Sequence, residues 1–466
     1  MFSAHYTYSE RSHPLTIVAK RINIMLMIFF PRGKKSFGQD RSICSRKAGL
    51  EVVIRNLSLA QSVAALGHRN YRLFWFGQLI SLQGTWMQNL AQGWLVLQMT
   101  NSPFLLGVVT AVQFAPLLLF SLVAGVAADR VPKRKLLLAT QSGSALTAFT
   151  LGILTLTGKV QYWHVLTLAA LLGTINSFDT PTRQSFIVEL VGKKDLMNAI
   201  ALNSTAFNAA RVIGPAIAGL AIGKLGIAPC FLLNAASFLA VIAGLAAIRG
   251  DDNARDRSQE EAVWKKIGEG LRFIRKTPVI KRTITLTGIL SVFVMNFNVL
   301  VPILARDTLG QQAEGYGYLM SATGIGSFIG AVSLAFISSR GPRRKLLTAG
   351  ALSLCLFQLL LAVNRSYSLA LVLLAFTGWS MITYVASANT TLQLNSPDHL
   401  RGRVMSVYTM VFLGMTPLGS LFSGALSQVG GAPLGFAAGS LIGLASTAAV
   451  LMRIRRGRSV ASDAKI

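Results

Sequence analysis

The residues able to do chemistry in this chain are a few charges set in apolar surroundings. Asp179 and Arg183 stand four apart in NSFDTPTRQSFIVELV, a spacing that puts both on one helical face and lets them pair. Glu189 closes the same run, and Arg211 lies further on in NAARVIGPAIAG. An ionisable residue at membrane depth costs about 2.5–3.5 kcal/mol on insertion scales, so each invites a functional reading. One reading makes Asp179 a proton-accepting site whose affinity changes as Arg183 or Arg211 approaches or withdraws. The other makes Asp179, Arg183 and Glu189 a structural ion network with Arg130 and Arg134, from the basic loop GVAADRVPKRKLLLA. Cys44, Cys230 and Cys355 form no CxxC pair, and the five histidines are scattered. No metal-ligand spacing, nucleophile–base constellation or Walker loop appears, so neither an enzyme, a metal site nor ATP drive is expected.

Composition supplies the surroundings. Of 466 residues, 52% are hydrophobic and 13% charged, with a mean hydropathy of +0.53. Soluble chains carry about 25% charged residues, so this surface faces lipid. The net charge of +28 would suit a nucleic-acid binder, but not at this hydropathy; its meaning lies in its position along the chain.

Twelve apolar stretches can each cross about 30 Å of hydrocarbon as helices. Spans 1–6 are read at 73–98, 103–128, 135–157, 161–188, 199–223 and 228–248. Spans 7–12 follow at 283–305, 313–338, 344–363, 367–394, 403–428 and 433–452. Of the 45 Lys and Arg, 39 fall in the head, the tail and the loops after even-numbered spans, against four in the opposite loops. That bias places both termini in the cytoplasm.

The domains read from this pattern are a basic cytoplasmic head (1–69), a first six-helix bundle (70–248), a linker (249–282), a second bundle (283–452) and a basic tail (453–466). In the linker, EEAVWKKIGEGLRFIRK puts Trp264, Ile267, Leu271 and Ile274 on one helical face, which predicts an amphipathic helix on the inner leaflet. The head has no clear periodicity, and its INIMLMIFF is too short to span. We expect much of residues 1–50 to be an artefact of an upstream start, with the native chain beginning nearer Val52.

The halves repeat. AFISSRGPRRKLLTA (335–349) restates the basic loop, with Pro132 matching Pro342, Lys135 matching Lys345, and Ser339 standing where Asp129 stands. Leu190 matches Leu394, Leu196 matches Leu400, and Pro215 and Pro417 lie inside spans 5 and 11. The expected fold is therefore all-α and integral to the membrane. Its twelve helices form two pseudo-symmetric six-helix bundles about an axis along the membrane normal, with substrate held between them.

Here the residues resemble a known family. Gly125-x-x-x-Asp129-Arg130-x-x-Lys133-Arg134-Lys135 resembles the signature loop of the major facilitator superfamily, departing from it at Pro132 and Lys133. NSFDTPTRQSFIVELV, NAIALNSTAFNAARVIGPAIAG, ARDTLG and RGRVMSVYTM are similar to its enterobactin-exporter-like branch, the transmembrane secretion effectors, which neighbours the macrolide-efflux proteins. The likeness covers residues 68–452. It implies export of a siderophore, drug or other small amphiphile across the bacterial cytoplasmic membrane, driven by the proton gradient without a cofactor. It also implies a conformational latch of Gly125, Asp129, Arg130, Arg134, Arg183 and Glu189 that holds the outward-open state. Asp129→Asn should then cripple transport and Ser339→Ala hardly matter. Gly214, Pro215 and Gly219 resemble a partial antiporter motif, with a proline kink and glycines for close helix approach.

Cavity candidates are Gln78, Trp86, Gln88, Asn89, Gln92 and Trp94 on span 1, Asn296 and Asn298 on span 7, and Trp379, Tyr384 and Asn389 on span 10. Their mix of amides and aromatics suits an amphiphilic substrate, although such residues also glue helices together or sit at the interface. The expected partners are that small molecule and the bilayer, with no nucleic acid, and the chain is expected to be a monomer. No acid lies on span 1 and none lies deep in the second bundle, so an uncoupled facilitator or a non-transporting sensor stays open.

Overall fold

The computed structural model describes residues 63–248, 263–338 and 344–463. The expectations for residues 1–62, for the linker before Val263 and for Ser339 lie outside the described residues. The side chains of Asp129, Trp264 and Ile267 do so too.

Helices dominate because an apolar chain in lipid must satisfy its backbone internally. Among the described residues, nine helical stretches are long and apolar enough to cross a membrane. Two of them, Tyr162–Leu225 and Asp398–Met452, contain two spans each. The first breaks at Gly192 (φ 68°) and the second at Gly430–Gly431, where Gly431 has φ 67°; a side chain is strained in that region of φ. Arg69–Thr100, whose amides lower its hydropathy, completes twelve. The first reversal takes two residues. Asn101 ends span 1 in the left-handed region (φ 48°), and Ser102 accepts the Leu105 N–H at 3.3 Å with Pro103 in the next turn.

The halves are built alike. Span 2 packs on span 4 and span 3 on span 6; equivalently, span 8 packs on span 10 and span 9 on span 12. Between the halves, span 2 crosses span 11 and span 5 crosses span 8. Both crossings are close enough to demand glycine. A Cβ on Gly107 would lie 2.5 Å from the Ser420 carbonyl oxygen, and one on Gly317 would lie 2.5 Å from that of Pro215.

Two spans read as continuous are not. The helix Pro278–Phe293 stops, and it resumes as Phe297–Ile303 before a π turn at Leu304–Thr308. Asn296 Nδ2 donates to the Val292 carbonyl at 2.7 Å, and Gln358 Nε2 on span 9 donates to that of Val294 at 2.9 Å. These side chains satisfy carbonyls that the break would leave bare. Span 11 is likewise divided, at Met415 between Asp398–Gly414 and Thr416.

The linker forms a helix at Val263–Lys276, as the periodicity predicts. It is also fastened to protein. Ile274 is buried, and Glu269 pairs with Arg403 at the start of span 11.

Candidate functional site

The broken span 7 opens onto a cavity of about 250 Å³ between the halves. The first half contributes Trp86 of span 1, Thr110 and Phe114 of span 2 and Arg211 of span 5. The second contributes Ser291 to Val299 in part, Met320 and Thr323, Met381, and Phe412 to Ser420 in part. The wall is apolar and thioether-rich with a few polar groups, the usual make-up of a small-molecule site. A second cavity of about 260 Å³ lies among spans 1, 2, 4 and 6, lined by Gln88, Asn89, Gln113, Asn176 and Asn234. Phe114 and Leu413 border both cavities.

Contacts between the halves lie at mid-depth and toward the end away from the basic loops. Ser102 Oγ donates to Gln428 Oε1 at 2.7 Å, and Arg306 Nη1 donates to the Leu97 carbonyl at 2.6 Å. Trp94 stacks on Tyr316 with ring centroids 5.9 Å apart, and Ser321 Oγ donates to the Val212 carbonyl at 2.7 Å. Toward the basic end the same spans carry exposed apolar side chains such as Leu119, Val123, Phe328 and Met410. A Cβ on Gly125 would meet nothing within 4 Å.

Arg211 stands over the Trp86 ring, 6.0 Å from its centroid, and its Nη2 lies 4.0 Å from Met381 Sδ. Gly214, one helical turn along, leaves room for Trp86: a Cβ there would sit 2.6 Å from Trp86 Cβ. Helical dihedrals continue through Pro215, while Gly219 lies against Ala313 and Glu314 of span 8. The motif thus lets span 5 approach spans 1 and 8 closely.

Asp179 is 4% exposed and saturated with donors. Arg183 Nε donates to Oδ2 at 2.9 Å, with Nη2 also bonded there. Oδ1 accepts from Thr140 Oγ1 at 2.8 Å and Gln141 Nε2 at 2.7 Å. The structure brings Asp179 and Arg183 together but does not bring Arg211 to them, because Arg211 faces the cavity instead.

In the basic loop, Lys133 Nζ meets Glu189 at 2.6 Å. Arg134 donates to the carbonyls of Leu245 and Ala246 at 2.7 and 2.9 Å, closing the last turn of span 6. Arg130 is exposed at the end of span 2. The Lys133–Glu189 pair and the Arg134 bonds to span 6 each join elements of the first half.

Of the cavity candidates, Trp86, Asn296 and Asn298 line the first cavity, Gln88 and Asn89 the second, and Gln92 a small separate space that shares lining residues with both. Gln88 accepts from Asn234 at 2.6 Å, and Gln92 donates to Gln113 at 2.9 Å. Gln78 is buried but lines none of these spaces. Trp379, Tyr384 and Asn389 do not line them either, and Tyr384 is bonded to Thr287 at 2.9 Å inside the second half. Met381 is the lining residue of span 10, turned about 200° around the helix from Trp379. Phe114, Met320, Phe412 and Ser420 were legible only as apolar or small residues with no distinguishing spacing.

Two bundles, twelve spans and a cavity shared between halves define a multi-pass membrane transporter of the major facilitator type. The sequence profile of the transmembrane secretion effectors matches residues 60–465, and the chain belongs to that family. It is 30% identical over 378 residues to the multidrug efflux pump Tap of Mycolicibacterium fortuitum, covering 79% of this chain and 92% of that one. It is 26% identical to the staphyloferrin A transporter of Staphylococcus aureus, over 77% of this chain and 90% of that one. It is also 26% identical to the enterobactin exporter EntS of Shigella boydii, over 80% and 88%. In fold it is similar to a bacterial Spinster homologue (TM-score 0.64, 14% identity, 83% and 95% covered). The nucleoside transporter NupG gives a TM-score of 0.63 at 12% identity, with 82% and 96% covered.

Proposed function

We propose that this protein exports small amphiphilic molecules, drugs or a siderophore, across the bacterial cytoplasmic membrane by alternating access with proton antiport. The observation that carries this reading is a cavity lined by both halves, with the joining contacts toward one end. The positive-inside bias makes the basic end cytoplasmic, with both termini there. The conformation is then inward-facing, and export requires the halves to rock until the glycine crossings part and the basic loops meet. The multidrug efflux pump and the enterobactin exporter among its relatives support the direction of transport.

The proton gradient supplies the energy in this reading, and Asp179 is the proton site. A proton reaches Asp179 by displacing a donor of span 3, Thr140 or Gln141, which loosens span 3 from span 4. The test is substrate-dependent proton movement in proteoliposomes offered drugs and siderophores in turn. Transport with proton counterflow, lost in Asp179→Asn, is the expected result; coupled flux in that variant would remove Asp179 from the mechanism.

A second reading, an uncoupled facilitator, is favoured by one observation. No Asp or Glu is among the residues lining the three cavities. A facilitator would equilibrate the same compounds without moving protons.

A further inference from the structure

Arg211 differs from the other arginine within a span. Arg183 is matched by Asp179 on its own helix. Arg211 has no carboxylate within ion-pair distance among the described residues, and only a tryptophan face and a thioether attend its guanidinium. The acids at the ends of spans 7 and 8 are engaged elsewhere: Glu314, against Gly219 two turns further along span 5, accepts from Tyr318, and Asp307 is held by Arg306. Two further polar atoms on the same cavity wall have no protein partner, Ser291 Oγ and Asn296 Oδ1. Both residues are only 4% exposed. A cavity whose wall holds a cation and no carboxylate among its lining residues is electrostatically unfinished.

We propose that Arg211 is the anion-recognising residue of the cargo site, and that the preferred cargo is an organic anion with an aromatic or otherwise apolar body. This rests on the exporter reading and narrows it. The planar guanidinium can meet a carboxylate with two parallel N–H donors, which a lysine cannot reproduce. Trp86 holds the guanidinium from behind. Phe114, Met320 and Phe412 receive the apolar body. In a low-dielectric cavity the same charge repels a cationic amphiphile of equal size.

The experiment uses three probes with one naphthalene body: naphthylacetate, its carboxamide and a naphthylmethyl-trimethylammonium. Binding to the purified full chain is followed by tryptophan fluorescence, and transport is measured in proteoliposomes. We expect the wild type to bind the anion at least tenfold more tightly than the cation. Arg211→Gln should erase that preference while still binding the carboxamide, and Arg211→Lys should keep part of it. The wild-type preference alone decides the matter if Arg211→Gln does not fold. Equal handling of all three probes overturns the anion assignment and leaves the exporter reading standing. An unchanged preference in Arg211→Gln removes Arg211 from recognition. No binding or transport of any probe, with none of a drug and siderophore panel either, overturns both.

Discussion

Arg183 donates to Oδ2 of Asp179 from one helical turn away, at 2.9 Å through Nε, while Oδ1 is taken by Thr140 and Gln141 of span 3. The pair therefore ties two helices of one half together, besides neutralising two charges at depth. Removing either partner leaves an uncompensated buried charge, a loss of about 3–5 kcal/mol. Asp179→Asn and Arg183→Gln should each lower the midpoint of thermal unfolding in detergent. The double variant should lose at least about 1 kcal/mol less than the sum of the single losses. Additive losses would mean that the two side chains do not depend on each other.

Gly107 and Gly317 are 210 residues apart, as are Pro132 and Pro342, and each admits a carbonyl of the opposite half. An added methyl overpacks each crossing by about 1–3 kcal/mol. Gly107→Ala and Gly317→Ala should fold, yet populate the inward-facing state less. A cysteine at Gln428 should then label faster with a membrane-impermeant maleimide; unchanged labelling would show that the crossings yield without parting.

Phe114 stands between the two larger cavities. Phe114→Ala should merge them and admit bulkier cargo, read as a gain in transport of large drugs relative to small ones. Loss of all cargo alike would instead make Phe114 a structural strut.

Lys133 and Arg134 are neighbours with unequal expected worth. Lys133 meets a Glu189 that is 51% exposed, so Lys133→Ala should cost about 0–1 kcal/mol. Arg134 bonds two carbonyls at the end of span 6, and such charged hydrogen bonds contribute about 1.5–3 kcal/mol each. Arg134→Ala should therefore melt well below Lys133→Ala; equal midpoints would contradict the assignment.

By itself the sequence determined the number of spans, their order, the repeat and the family. A bilayer is a slab, so hydropathy and charge along one dimension decide what crosses it. The linker helix was legible for the same reason, from its spacing of Leu271 and Ile274. Only the tertiary structure decided which way each face turns. Tyr384 and Met381 lie within one turn of span 10, yet one bonds Thr287 inside a bundle and the other lines the cavity. The break in span 7 was hidden because Gln358, which satisfies the Val294 carbonyl, lies 64 residues further on. Arg211 read as a partner for Asp179 because both are charges in apolar runs. Packing set them apart, since span 5 turns Arg211 over Trp86 while Asp179 is already filled from spans 3 and 4.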